Sequence, residues 1–279
     1  MKLVQIISSL CLGVLLTSCN LIDFSEKCTY HGNVNVRFDW QNLPTGSAVP
    51  KQMRTVFLLD GVPQTAYDLL GDTLLSSVKA GKYTVLSYNP AMGITIENNK
   101  ASLPVYSKDN TTYTTQAPLL YVAKSDVTVQ PFETTLCQLS PKCCTQQINI
   151  DFVVIKENIN CDLIGLTGEL EGVSTGYNLY EGTMKKEFAS LPFISLRLQG
   201  NTFTTNLKVF GINSTNNAMT VSLQLSDGAI FTQAIDLKDV FKNFTAPAIQ
   251  LSLEIHLTGL GMTIDLADWH LVNQGYLEL

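Results

Sequence analysis

This sequence is poor in charge, in histidine and in arginine, and each shortage closes a class of function. Charged residues make up 15% of the 279-residue chain, against about 25% in an average globular protein. Lys and Arg total 18 against 24 Asp and Glu, a net charge of −6, and the basic residues form no run. Such a chain has no electrostatic footprint for nucleic acid and cannot adhere to anionic lipid through charge. Any attachment to a membrane must therefore be apolar or covalent. The histidines, His31, His256 and His270, stand at no metal-ligand spacing from another ligand, and no C-x-x-C occurs. Also missing are a G-x-S-x-G elbow, a P-loop and a dinucleotide fingerprint. Asp265 and Asp268 in "IDLADWH" could be imagined as an acid–base pair. With no further partner nearby they read as solvated surface. The sequence predicts no enzyme, no catalytic residue, no metal and no cofactor.

Long apolar runs are absent too, save one at the start. Lys2 is followed by "LVQIISSLCLGVLL", the length of a signal-peptide h-region. As a helix it covers only ~20 Å, short of the ~30 Å hydrocarbon core of a bilayer. Residues 16–19, Leu16-Thr17-Ser18-Cys19, resemble the lipobox of bacterial lipoproteins. That resemblance implies a signal peptide over 1–18, a diacylglyceryl group on the Cys19 thiol, cleavage just before it, and acylation of the new amino terminus. One acyl chain binds a membrane only marginally, whereas two or more make attachment long-lived. Cys19 is thus the predicted lipidation site, and residues 19–32 a tether without periodicity. Loss of Lys2 with the leader takes the net charge to −7.

Cys11 falls in the leader. Cys28, Cys137, Cys143, Cys144 and Cys161 remain, an odd number in a compartment that permits disulfides. A structural disulfide is one reading, and at least one thiol must stay free or pair between molecules. Adjacent cysteines in "PKCCTQ" with no neighbouring histidine do not suit zinc.

What the chain does have is period-2 alternation. In "VNVRFDW", Val34, Val36, Phe38 and Trp40 share one face; core packing is the expectation for Trp40. "MRTVFLLDG" reads as a strand ending at an Asp-Gly turn. "KAGKYTVLSYNP" reads as one that turns at Gly81 and stops at Asn89-Pro90. "GITIEN", "TTYTTQ" and "DVTVQPF" are further candidates. In "AIQLSLEIHLTGL", Ile249, Leu251, Leu253, Ile255 and Leu257 point one way. "MTVSLQLSDGAIFTQAI" reads as a hairpin with Asp227-Gly228 at its tip. "DLKDVFKNF" carries Leu237, Val240, Phe241 and Phe244 at helical spacing, with Asp236 placed to cap it.

Short alternating segments without long helices predict an all-β fold of sandwich architecture. The length suits two domains. The polar, proline-containing "QLSPKCCTQQ" is the expected boundary, giving an N-terminal sandwich over 33–142 and a C-terminal one over 143–279.

Taken with the lipobox, "VNVRFDW", "KAGKYTVLSYN" and the closing "IDLADWHLVNQGYLEL" make the chain similar to the fimbrillin-related lipoproteins of Bacteroidetes. It is most similar to the group related to the minor fimbrium anchor subunits of type V pili. The resemblance implies two tandem transthyretin-like β-sandwiches. It also implies a lipid-anchored subunit at the outer membrane and cell surface, with fimbrial or fimbrillin-like subunits as partners. Members of that family assemble by strand donation, in which an added strand completes a partner's open sheet. Structural fimbrillins are matured by an arginine-specific protease that removes the first strand, and anchor subunits are expected to keep it. Among Arg37, Arg54 and Arg197, Arg54 follows the first strand and offers such a site. A second reading is a glycan-binding surface lipoprotein using Trp269 with Tyr177 and Tyr180 in "GVSTGYNLYEGT"; it predicts that these rings are exposed together.

Overall fold

The computed structural model describes residues 29–41, 43 and 47–272. The leader, the lipobox with Cys19, and Cys28 lie outside the described residues. The first half runs through β1 (His31–Phe38), β2 (Met53–Leu59), β3 (Val62–Leu69), β4 (Thr73–Lys79), β5 (Gly81–Tyr88) and β6 (Thr95–Glu97). There follow β7 (Lys100–Ser102), β8 (Val105–Lys108), β9 (Thr111–Thr114), β10 (Tyr121–Val129), β11 (Thr134–Leu139) and β12 (Lys142–Cys143). The second half has β13 (Gln146–Lys156), β14 (Leu163–Ser174), β15 (Gly176–Asn178), β16 (Thr183–Met184), β17 (Phe188–Ile194) and β18 (Leu196–Arg197). It ends with β19 (Thr202–Val209), β20 (Ala218–Leu225), β21 (Ile230–Asp236), α1 (Lys238–Phe241), β22 (Ala248–Thr258) and β23 (Gly261–Val272). The fold is all-β, as the alternation predicts. No helix among the described residues is long and apolar enough to cross a membrane.

In the first sandwich a sheet β11-β1-β4 faces a sheet β12-β10-β5-β2-β3. Between them lie Val34 and Val36 of β1, Phe57, Val85, Val127 and Leu139, all buried. The Asp60-Gly61 turn links β2 to β3 with positive φ at both residues, 50° and 78°. This twist matches that of the flanking strands, which is why Asp-Gly is favoured there. The second sandwich faces β18-β19-β13-β22-β23 against β21-β20-β14-β17-β9-β8. Here the alternating face of β22, from Ile249 to Leu257, is buried in a core shared with Ile150, Phe152, Leu170 and Val221.

Around α1, Leu237, Val240 and Phe241 are buried as their spacing predicts. The helix is a single turn that begins after Leu237, not after Asp236. Asp236 ends β21, and its Oδ1 accepts the Lys238 N–H at 2.9 Å. The capping contact therefore exists although the residue stands one place early.

The two halves are stitched together in the stretch 95–120. β7 pairs with β15, Tyr177 standing opposite Ala101, and β9 joins β17 in parallel through Tyr113 and Ser190. Thus "TTYTTQ" does form a strand, but it extends a sheet of the second sandwich. Gly176 permits the β7–β15 approach, since a Cβ there would collide with the Ala101 carbonyl oxygen. Behind these strands the outer face of β5 is covered: Leu86 and Tyr88 pack with Val56, Leu120, Leu179 and Phe210 in a third apolar cluster. β5 is consequently buried on both faces from Val85 to Tyr88.

Candidate functional site

The first strand sits in the middle of its sheet. β1 runs parallel to β11 from Asn33 opposite Thr134 to Phe38 opposite Leu139, and antiparallel to β4 on the other side. Its ends are tied down as well: the Asn33 N–H donates to the Glu133 carbonyl at 2.7 Å and the Asp39 N–H to that of Leu139 at 2.8 Å. Asp72 Oδ1 accepts the Phe38 N–H at 2.9 Å. Gly32 marks a register shift in the β1–β4 ladder, and a Cβ there would strike the Gln130 carbonyl oxygen. Rings close both ends. Tyr30 meets Phe132 edge-on with centroids 5.8 Å apart; Trp40 stacks on Phe38 at 5.9 Å and meets Tyr121 at 6.1 Å. Trp40 is half-buried and packs on these two rings at the strand's end, not in the core with Val34 and Val36 as its alternation predicts. The chain that would carry the lipid enters the structure directly at this strand.

Arg54 lies within β2, flanked by Asp68 of β3 and Tyr88 of β5. Its Nη1 is 3.3 Å from Asp68 Oδ2, with both side chains about half exposed. A protease needs several extended residues free of other pairing. The backbone here is hydrogen-bonded in ladders on both sides, so the side chain is visible while the scissile bond is held in the sheet.

The free sheet edges differ in character. β3 carries Pro63 and a bulge at Phe57/Leu58, devices that blunt an edge. β8 has four residues and β12 and β18 two each. β23 is the longest edge, twelve residues that pair along β22 on one side, with exposed side chains from Ala267 to Leu271. Asp265 and Asp268 stand on this strand. Asp268 Oδ1 accepts the Trp269 N–H at 2.8 Å and Asp265 pairs in register with Glu254, so the two are not joined in one constellation. Among the described residues no group of three His, Cys, Asp or Glu side chains could hold a metal. His256 lies between Glu157, 3.9 Å from Nδ1, and Glu254, 3.8 Å from Nε2.

Trp269, Tyr177 and Tyr180 do not share a platform. Trp269 is 41% exposed on the edge strand. Tyr177 leans on Phe210, just past the end of β19, three strands away across the sheet. Burial and the neighbouring Cys144 push the Tyr177 phenol above its ordinary pKa. Tyr180 has one face covered by the Lys124 ammonium, 4.6 Å from the ring centre.

The four described cysteines, Cys137, Cys143, Cys144 and Cys161, are free thiols, so no disulfide links any two of them. Burial pushes the Cys137 thiol up to about 11 and that of Cys144 up to about 12. Both are held protonated at neutral pH. Cys161 donates to Asp227 Oδ2 at 3.2 Å, a bond that also raises its pKa.

This arrangement has known counterparts. A candidate adhesin from Bacteroides ovatus superposes with a TM-score of 0.58 at 15% identity, covering 83% of this chain and 91% of that one. The fimbrial anchor protein Mfa2 from Porphyromonas gingivalis gives 0.54 at 16% identity, over 81% and 91%. The chain has their fold. A candidate polysaccharide-binding protein from Bacteroides thetaiotaomicron shares it too, with a TM-score of 0.52 at 9% identity over 88% of this chain and 96% of its own. No protein-family model matches the sequence, and no curated protein is similar to it in sequence.

Proposed function

We propose that this protein is a structural subunit of the cell surface, lipid-anchored in the outer membrane through Cys19, and that it serves as a fimbrial anchor or accessory subunit. The observation that carries this reading is the place of β1. A subunit that polymerises after losing its first strand would leave a slot between β11 and β4; here β1 fills it with Val34 and Val36 at 0% exposure. The sheet is complete from within, as suits a chain end that holds a fibre rather than a link within one. Likeness of fold to a fimbrial anchor supports the same role. Assembly then falls to a free edge, and β23 is the longest on offer: a partner strand added there gains backbone hydrogen bonds along up to twelve residues.

Two measurements test this. Cys19→Ala should release the chain from membranes under a carbonate wash, and intact mass of the native protein should show added acyl groups. Crosslinking in native membranes should then recover pilin-like chains joined through β23. Membrane retention of the Cys19→Ala chain would overturn the anchor. A chain that crosslinks to no surface subunit would overturn the fimbrial role.

A further inference from the structure

The outer face of the six-stranded sheet of the second sandwich carries a groove of about 620 Å³ that the anchoring role leaves unused. Side chains alternating away from the core form its floor. Glu169 of β14 stands opposite Pro192 of β17 on one side and Thr220 of β20 on the other. One step along, Thr167 stands between Ile194 and Ser222. At the β9 side Tyr106 and Tyr113 stack with centroids 5.3 Å apart and planes 18° apart. Tyr106 is 50% exposed, and the Tyr113 hydroxyl donates to Glu169 Oε1 at 3.3 Å. Gln116 walls the groove; its Oε1 accepts the Lys208 N–H at 3.2 Å, which leaves the amide N–H donors for another partner.

We propose that this groove binds a neutral oligosaccharide. No lysine, arginine or histidine lines it and its charged residue is a carboxylate, so phosphate, sulfate and uronic acids find no counter-charge. A polymer with many hydroxyls fits instead. Glu169 has lone pairs beyond the one that Tyr113 uses, and Thr167, Thr220 and Ser222 both donate and accept. Pro192 and Ile194, exposed on the groove floor, offer an apolar surface for the C–H face of a pyranose. An extended peptide is a poorer occupant. The groove lies on a sheet face, where backbone N–H and C=O groups are already paired within the sheet, so no ladder can form. The groove is separate from Trp269, Tyr177 and Tyr180, and it does not depend on the lipid.

Affinity electrophoresis of the purified full-length chain in gels containing a glucan, a mannan or a xylan tests this, with polygalacturonate as the anionic contrast. At least one neutral polymer should retard the protein and polygalacturonate should not. Ile194→Ala and Glu169→Gln should each weaken retardation about tenfold or more, a loss of about 1.4 kcal/mol per factor of ten. Thr167→Arg, an exposed change that fills the groove, should abolish it, and Trp269→Ala should leave it unchanged. Thermal midpoints of the variants establish that each is folded. Absence of retardation in all three neutral gels, equal retardation by polygalacturonate, or full retardation of folded Thr167→Arg would each overturn the proposal.

Discussion

The core of the first sandwich is set between sheets of three and five strands, whereas that of the second lies between sheets of five and six and adds Leu237, Val240 and Phe241 around α1. The first has a second apolar face, the outer side of β5 and its neighbours, which the second covers with Leu179 and Phe210. In return the first supplies β8 and β9 to a sheet of the second. A small core is weak because it buries a smaller share of its chain's surface. Docking against a larger neighbour offsets that weakness. The comparison teaches that the smaller half draws part of its stability from the larger one.

This comparison can be sharpened or broken by measurement. The largest expected effect is on thiol reactivity. Cys137 is buried in the first core and Cys144 is half-buried at the junction, both held protonated. Cys137 should react with a disulfide reagent at least about a thousandfold more slowly in the native protein than in denaturant, because only rare opening exposes it, and the half-buried Cys144 should be protected less. Equal protection of the two would show that the junction shields Cys144 as fully as the core shields Cys137. The pH dependence has a definite sign. A thiol whose folded pKa is raised favours the folded state below its unfolded value, near 9, and that contribution is lost as pH rises towards about 11 for Cys137. Stability should therefore fall across that alkaline window.

Next in size is Phe210→Ala. The ring is 2% exposed and packs on Tyr177 at the junction, and deleting a buried Phe costs about 3–5 kcal/mol. Calorimetry should show one transition moving to lower temperature for both halves. Independent sandwiches would give two transitions, with only the second shifted. Gly32→Ala should cost about 1–3 kcal/mol, the scale of overpacking in a close-packed site, because the added methyl meets the Gln130 carbonyl. Hydrogen exchange should then speed up in β1 and β11 while β13 and β22 keep their protection. The smallest effect is at the Arg54–Asp68 pair, half exposed in the first sandwich. Arg54→Ala should change stability by no more than about 1 kcal/mol. An arginine-specific protease should leave the native chain uncut at Arg54, and rapid cutting there would show β2 to be looser than its two ladders imply.

Much of the strand content was legible in the residues. The alternation at Val34 and Val36, and from Ile249 to Leu257, marked buried faces that are nearly solvent-free. Asp60-Gly61 and Asp227-Gly228 marked hairpin turns, with φ of 78° and 91° at the glycines. The functional surfaces were less legible. Trp269 stands out as one of two tryptophans, and Tyr177 and Tyr180 as rings in a glycine-rich stretch, yet ring type says nothing about whether three rings meet. The Tyr106–Tyr113 pair is written more faintly. "VYSKDNTTY" does show two tyrosines flanking an Asp-Asn turn, where φ is 49° and 64°, and cross-strand pairing places such residues side by side. What no local pattern could reveal was Glu169 beneath them, 56 residues on.

The sequence by itself determined that the chain is built from β-strands, where several of them turn, and which side of the most regular ones meets a core. These follow from side-chain period and turn chemistry, both written within a few residues. Only the tertiary structure decided which sheet each strand joins. Backbone N–H and C=O groups are the same in every strand, so a partner is chosen by long-range packing rather than by local residues. That is why β9 left the half it was expected in, and why β5 became buried on both sides.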